Sequence, residues 1–208
     1  TEKIFGKGWT PEVDTMDTFV CSSFYSFRYL AEGNTKEFVP KEIDKKWMPV
    51  DMYIGGPEHA CMHLIYSRFV SMALKDFGYI NSDEPYQRLI HQGLITNGGT
   101  KMSKSKGNVV SPDAFVDRYG SDVFRMYLMF MGPFEGGGDW SDTGIKGIDR
   151  FVQKVWKLLG ESETSNAEVS KEVNVKLNQT IKKVTQDIES LHFNTCISAL
   201  MELMNLVE

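Results

Sequence analysis

The glycine run Gly136-Gly137-Gly138 separates two hydrophobic periodicities in this chain. Before it, short apolar runs end in glycine or proline turns. Asp51-Met52-Tyr53-Ile54 stops at Gly55-Gly56-Pro57, and Arg88-Leu89-Ile90-His91 stops at Gln92-Gly93. Runs of that length bounded by turn residues read as strands. After the glycines, Ile145, Ile148, Val152, Val155 and Leu159 fall at helical spacing, as do Val173, Leu177, Ile181, Val184, Ile188 and Leu191. Asn194 reads as the cap of a further helix carrying Ile197, Leu200, Met201 and Met204. The pattern predicts an α/β part, a short joint and an all-helical part.

Other elements follow from local chemistry. Ser22 to Leu30, rich in aromatics, reads as a buried helix, and the charged stretch from Asn34 to Trp47 as a surface loop. A helix starts near Pro57, a favoured first-turn residue, and runs through Leu64, Ile65, Phe69 and Leu74 to Gly78. Ser111-Pro112-Asp113 reads as a capping serine, a first-turn proline and an acidic neighbour, opening a helix that ends near Gly120. The next runs from Ser121 to Gly132-Pro133. Glu161 to Asn166 reads as an inter-helix loop.

Composition narrows the class. The chain has 208 residues, 41% hydrophobic and 25% charged, the range of ordinary globular proteins, with length for one core and a smaller satellite. A net charge of −5 provides no global attraction to nucleic acid, so any such contact rests on local patches. Cys21, Cys61 and Cys196 are odd in number and far apart, which argues against a disulfide framework or zinc knuckle and for a reducing, cytoplasmic setting. No apolar run is long enough to span a membrane, and no signal peptide opens the chain. The polar stretch from Thr1 to Pro11 reads as a connection from an upstream segment of a longer polypeptide.

Three segments carry chemistry. Lys101-Met102-Ser103-Lys104-Ser105-Lys106 sets three ammonium groups and two hydroxyls between Gly98-Gly99 and Gly107. Mobile point charges on a glycine-hinged loop suit a polyphosphate, although a solvated charge run reads the same way. Tyr53-Ile54-Gly55-Gly56-Pro57-Glu58-His59 reads as a strand, a glycine turn and a helix, the arrangement that places nucleotides at strand ends. Glu58 is then placed to accept hydrogen bonds from ribose hydroxyls; an ordinary strand-to-helix turn accounts for the same pattern. His59 and His63 stand one helical turn apart, as pocket-lining or packed residues more readily than as metal ligands, because no third ligand accompanies them.

These residues resemble a known family. Lys101 to Ser105 is identical to the second signature of class I aminoacyl-tRNA synthetases. Gly55 to Ala60, Asp14 to Phe19 and Ser22 to Tyr25 look like the leucyl type, and the likeness continues from Met126 to Pro133 and from Phe193 to Asn205. The resemblance implies the C-terminal half of a Rossmann-like catalytic domain over 1–110, a connecting, stem-contact-like helical segment over 111–141, and the start of a helical tRNA-binding domain over 142–208. It implies ATP-dependent activation of leucine and transfer to tRNA(Leu). Lys104 and Lys101 would stabilise phosphates. Gly55, Gly56, Glu58, Gln92, Met102, Ser103 and Ser105 would meet ATP. Phe19, Ser22, Tyr25, Tyr53, His59 and His63 would line the leucine pocket. Mg²⁺ is expected with ATP, and no zinc site, membrane or protein partner is indicated. Arg150, Lys154, Lys157, Lys182 and Lys183 are candidates to face tRNA phosphates, or simply form solvated helix faces.

The departures are also informative. The family's histidine-rich first signature and its hydrolytic editing domain are absent from the sequence, so the resemblance implies a fragment inactive by itself. Ile95 to Thr100 is short where some members carry an insertion, and Phe24 replaces a usual tryptophan. A valyl or isoleucyl relative fits the residues around Glu58 less well. A non-enzymatic nucleotide- or RNA-binding module remains open, whereas a purely structural helical domain leaves the glycine turn and lysine loop unexplained.

Overall fold

The computed structural model of the chain describes residues 2–161 and 168–207. They fall into two compact units, Thr1–Ile90 and His91–Glu208. Both units combine helices with small sheets, an α/β composition.

The first unit contains α1 (Glu2–Phe5), a 3-10 turn (Cys21–Ser23), α2 (Tyr25–Tyr29), α3 (Lys41–Trp47), β1 (Tyr53–Gly55), a second 3-10 turn (Pro57–Cys61), α4 (His63–Asp76) and β2 (Leu89–His91). Strands β1 and β2 pair. A parallel bridge between Val50 and Tyr86 extends the pairing. Phe27, Ala31, Val39 and Ile80 form the buried core, with Phe24, Phe38, Met48 and Leu74 packed on it.

Local chemistry corrects three expectations here. The helix predicted over Ser22 to Leu30 is broken at Phe24, whose φ of −131° and ψ of 6° are not helical. The hydroxyls of Ser22 and Ser23 both donate to the Phe19 carbonyl, competing with the helical ladder. Only one side is buried, at Ser23 and Phe27, while Tyr29 faces solvent. Second, the predicted surface loop ends in α3. Asn34 first folds the chain by accepting the N–H groups of Lys36 and Glu37. Lysines and glutamate then coat the outer side of α3. Asp44, fully buried, turns inward to accept the backbone and side-chain N–H groups of Asn81 at 2.8 and 2.6 Å. The high charge reads as a loop because only this one carboxylate points in. Third, the helix expected from Pro57 is two pieces, separated at Met62 with φ −124° and ψ −101°.

The second unit contains β3 (Ile95–Asn97), β4 (Thr100–Lys101), a 3-10 turn (Lys104–Lys106), α5 (Asp113–Tyr119), α6 (Ser121–Phe130), β5 (Gly138–Asp139), α7 (Ile145–Glu161), α8 (Lys171–Glu189) and α9 (Phe193–Val207). The sheet order is β4-β3-β5, antiparallel on one side of β3 and parallel on the other. The glycine run is therefore not a joint. Gly138 donates to the Leu94 carbonyl and Gly93 to that of Phe134, at 3.2 and 2.8 Å. A Cβ on Gly93 would collide with the backbone of Gly136 and Gly137, so two chain segments meet where side chains do not fit. Val123, Tyr127, Trp140, Ile145, Ile148 and Ile197 form the core above this sheet.

The helices match the predicted periodicities, with different ends. Ser111 does not cap a backbone N–H; its hydroxyl donates to the Asp113 carboxylate at 3.0 Å, and Pro112 is already in helical geometry. Ser170 caps α8 by accepting the N–H of Val173. Leu191 lies outside the helical pattern, with φ 59°, in the turn where His192 donates to the Asp187 carbonyl at 2.7 Å. Asn194 lies inside the first turn of α9 and does not cap it. Of the loop expected over Glu161 to Asn166, residues 162–166 lie outside the described residues.

Candidate active site

In the first unit, the six residues expected around an amino-acid side chain gather about the start of α4. The Tyr53 hydroxyl lies 2.7 Å from His63 Nε2 and 2.7 Å from the Tyr25 hydroxyl. The His59 and His63 rings meet edge to face at 6.2 Å. Phe19 continues the wall, its ring 6.1 Å from His59 and 6.2 Å from Tyr66. Ser22 stands beside them with its hydroxyl donated to the Phe19 carbonyl at 3.0 Å. Asp17 accepts the Phe19 N–H and sets the start of this segment. The break at Met62 separates the two histidines onto different helical pieces, yet their rings remain neighbours.

The electrostatics favour the neutral forms of His63 and Tyr53. Burial lowers the His63 imidazole below its ordinary value of 6.5, and the neighbouring His59 adds to the shift. Burial pushes the Tyr53 phenol well above its ordinary value, with hydrogen bonding by Tyr25 next in effect. The His63 imidazole facing the Tyr53 phenol, with the phenyl ring of Phe19 against His59, makes a largely apolar wall. His59 Nδ1 and His63 Nδ1 are both buried without a partner. Among the described residues no group of three or more His, Cys, Asp or Glu side chains is arranged to hold a metal ion.

The double-glycine bend lies at the end of β1. Its carboxylate folds back over it: a Cβ on Gly56 would sit 2.5 Å from Glu58 Oε2. Glycine at 56 leaves room for the Glu58 carboxylate in this position, exposed and able to accept hydrogen bonds. Gly55 is half-buried beside it.

In the second unit, Gly98 and Gly99, with φ of 62° and 70°, turn β3 into β4. Lys101 therefore lies on a strand and not within the loop, its side chain exposed. Met102 packs against the core and anchors the segment. Ser103 and Ser105 share a hydrogen bond at 2.7 Å, and Lys104 to Lys106 form an exposed turn that ends at Gly107, φ 65°. Gln92 is exposed just before β3.

Two residues that the sequence reading overlooked hold this loop. Asn108 Oδ1 accepts the Ser103 N–H at 2.9 Å, while its amide donates to the Thr100 hydroxyl and the Lys101 carbonyl. Asp139 Oδ1 accepts the Thr96 hydroxyl at 2.6 Å and the Gly99 N–H at 2.9 Å. The Thr96 hydroxyl, and then the Gly99 N–H, hold the Asp139 carboxyl below the usual carboxylate range. The sequence marks only the closing turn at Gly107; the reach of Asn108 back across the loop depends on folding. In the helices, Lys183 is paired with Asp187 at 2.9 Å.

A family model for the tRNA synthetases class I (I, L, M and V) matches residues 7–138, a span containing the aromatic–imidazole cluster, the glycine bend and the lysine loop. The chain belongs to this family. As a class I tRNA synthetase sequence it is 52% identical over 198 residues to a leucine–tRNA ligase of Dehalococcoides mccartyi, across 93% of the chain and 24% of the relative. It is 50% identical over 211 residues to a leucine–tRNA ligase of Clostridium perfringens, across 96% of the chain and 26% of the relative. The chain thus spans about a quarter of the length of the curated relatives it matches. Among solved structures, the ternary complex of Agrobacterium radiobacter K84 agnB2 LeuRS with tRNA and LeuAMS superposes with a TM-score of 0.84 at 36% identity, covering 95% of this synthetase chain and 28% of that one. Mycobacterium tuberculosis methionyl-tRNA synthetase in complex with methionyl-adenylate superposes with a TM-score of 0.65 at 19% identity, over 90% of the chain and 38% of that one, a likeness of fold alone.

Proposed function

We propose that this chain supplies the leucine pocket and the phosphate-stabilising loop of an enzyme that joins leucine to tRNA(Leu). Leucine and ATP form leucyl-adenylate and pyrophosphate, and the leucyl group then passes to the terminal ribose of the tRNA. The observation that carries the reading is the Phe19–His59–His63–Tyr53–Tyr25 cluster, in a chain half identical to leucine–tRNA ligases. Its largely apolar wall suits a branched aliphatic side chain, with the Ser22 hydroxyl at its margin.

The chemistry follows from charge. As the leucine carboxylate attacks the α-phosphorus, the bond to the bridging oxygen breaks and negative charge builds on the departing pyrophosphate. Lys104, assisted by Lys101, meets that growing charge and so lowers the barrier more than it tightens substrate binding. Ser103 and Ser105 and the backbone at Met102 support the nucleotide, together with Gln92; Gly55, Gly56 and Glu58 receive the adenosine ribose. The loop's lysines and serines do not fit a divalent cation, so Mg²⁺ would be held by ATP's own phosphate oxygens.

In this reading 1–110 is the second half of the catalytic domain, 111–141 connects, and 142–208 begins the tRNA-binding helices. A cytoplasmic setting agrees with the three free cysteines, Cys21, Cys61 and Cys196. An apolar pocket separates close aliphatic analogues by only ~1–3 kcal/mol, the reason such a site is paired with hydrolytic editing. Amino-acid-dependent ATP–pyrophosphate exchange by the full-length enzyme tests the proposal. Leucine is expected to exceed isoleucine, valine and methionine in kcat/KM by at least about tenfold; preference for any of the three would reject it.

A further inference from the structure

Behind the leucine wall stands Tyr86, half-buried and joined to the cluster through Tyr53. The ring of Tyr86 stacks on Tyr53, centroids 3.8 Å apart and planes within 10°. Its hydroxyl lies 2.8 Å from Ser67 Oγ. Ser67 has one O–H and donates it to the Ser23 carbonyl at 3.2 Å, so the Tyr86 hydroxyl is the donor to Ser67. The backbone of Tyr86 is fixed in turn. It bridges Val50, Val50 donates to the Pro85 carbonyl and Gln87 to that of Val50, at 2.9 and 2.8 Å. Pro85 and Ser67 are fully buried. Both ends of Tyr86 are therefore tied to buried parts of the first unit, and one face of its ring lies on Tyr53.

Tyr53 needs that support. It opens a three-residue strand that ends in the double-glycine bend, and its single hydroxyl serves both Tyr25 and His63. A shift of the ring would break both hydrogen bonds and release the His63 imidazole. Resting on the leucine-pocket reading above, we infer that Tyr86, held by Ser67, is a positioning residue that locks Tyr53 and thereby the orientation of His63 toward the amino acid. It acts on amino-acid recognition and leaves ATP binding alone.

The test is steady-state ATP–pyrophosphate exchange by the full-length enzyme carrying Tyr86→Leu, Tyr86→Phe, Ser67→Ala, the Tyr86→Phe/Ser67→Ala pair, and His63→Ala. Tyr86→Leu removes the stack and is expected to raise the KM for leucine about tenfold, the scale of one aromatic pair, with the KM for ATP unchanged. Tyr86→Phe keeps the stack and loses the hydroxyl, so its leucine KM rises only about two- to threefold, as does that of Ser67→Ala. Ser67→Ala removes that hydrogen bond and also the one to the Ser23 carbonyl, so the double variant is expected to match Ser67→Ala, with nothing added by Tyr86→Phe. That comparison decides the matter even should Tyr86→Leu not fold. An unchanged leucine KM in the Tyr86 and Ser67 variants, with a raised one in His63→Ala, overturns the inference and leaves the leucine pocket standing. Equal rises in both KM values reduce Tyr86 to general stability and also overturn it. No change even in His63→Ala removes the pocket reading itself.

Discussion

Asn108 accepts the backbone N–H of Ser103 at 2.9 Å, and so closes the lysine loop on itself. The same side chain donates to Thr100 and Lys101, which fixes where the strand carrying Lys101 ends and the turn carrying Lys104 begins. A loop that is to meet the phosphates as proposed needs such a clamp, because its glycines impose little shape of their own. Asn108→Ala in the full-length enzyme is expected to lower kcat for pyrophosphate exchange about tenfold, by misplacing the ammonium groups, with the leucine KM unchanged. Wild-type kcat would show that the clamp is dispensable.

The pH dependence of stability follows from His63. Its imidazole titrates below the ordinary value of 6.5, first through burial and then through His59, so the unfolded chain binds the proton more readily than the folded one. The contribution to stability is complete above that ordinary value and is lost as pH falls below it toward the lowered one. Tm is expected to drop between about pH 7 and about pH 5, and to drop less in His63→Gln, which keeps a hydrogen-bonding partner for Tyr53. Parallel Tm–pH curves for the two proteins would refute the assignment.

The turn between α8 and α9 rests on one carboxylate. Asp187 meets Lys183 at 2.9 Å and the Thr195 hydroxyl at 2.7 Å. Burial works to raise the Asp187 carboxyl; the Lys183 ammonium and the Thr195 hydroxyl outweigh it and hold it below the usual range. Asp187→Ala removes the acceptor that joins Lys183 and Thr195, leaving Thr195 the His192 carbonyl at 3.1 Å, and is expected to cost about 1–2 kcal/mol of stability. Lys183→Ala removes a half-exposed partner and should cost under about 1 kcal/mol. Chemical denaturation of both variants checks the order, and a larger loss from Lys183→Ala would contradict it.

Helix α4 carries an apolar stripe on its outer side. Ile65, Phe69 and Met72 are 57%, 65% and 47% exposed at helical spacing. Expressed alone, the chain is expected to self-associate through this stripe, and Ile65→Ser with Phe69→Ser to reduce that association. Light scattering measures it: a single 23.7 kDa species at high concentration for the unaltered chain would disprove the expectation.

Much of this was legible in the sequence where the signal is periodic or local. The spacing of Ile145, Ile148, Val152 and Val155 gave α7, and the first two of those residues are fully buried. Glycines around the lysine loop gave its turns. The losses occur where one side chain overrides its neighbourhood. Asp44 turns a charged stretch into a packed helix, and two serine hydroxyls break the helix expected over Ser22 to Leu30. The glycine run reads as a joint because sequence cannot reveal that Gly93 needs Gly137 against it. In the candidate site, the residues of the aromatic–imidazole cluster were named, yet Tyr86, Ser67, Asn108 and Asp139 were not. They act through contacts across 5 to 44 residues, and no spacing rule encodes those.

Lys104 is the residue on which the proposed chemistry turns, and its removal is the most direct trial. Lys104→Ala in the full-length enzyme is expected to reduce kcat for leucine-dependent ATP–pyrophosphate exchange by roughly a hundredfold or more, while calorimetric Kd for leucine changes less than about threefold. Exchange at the wild-type rate would contradict the account.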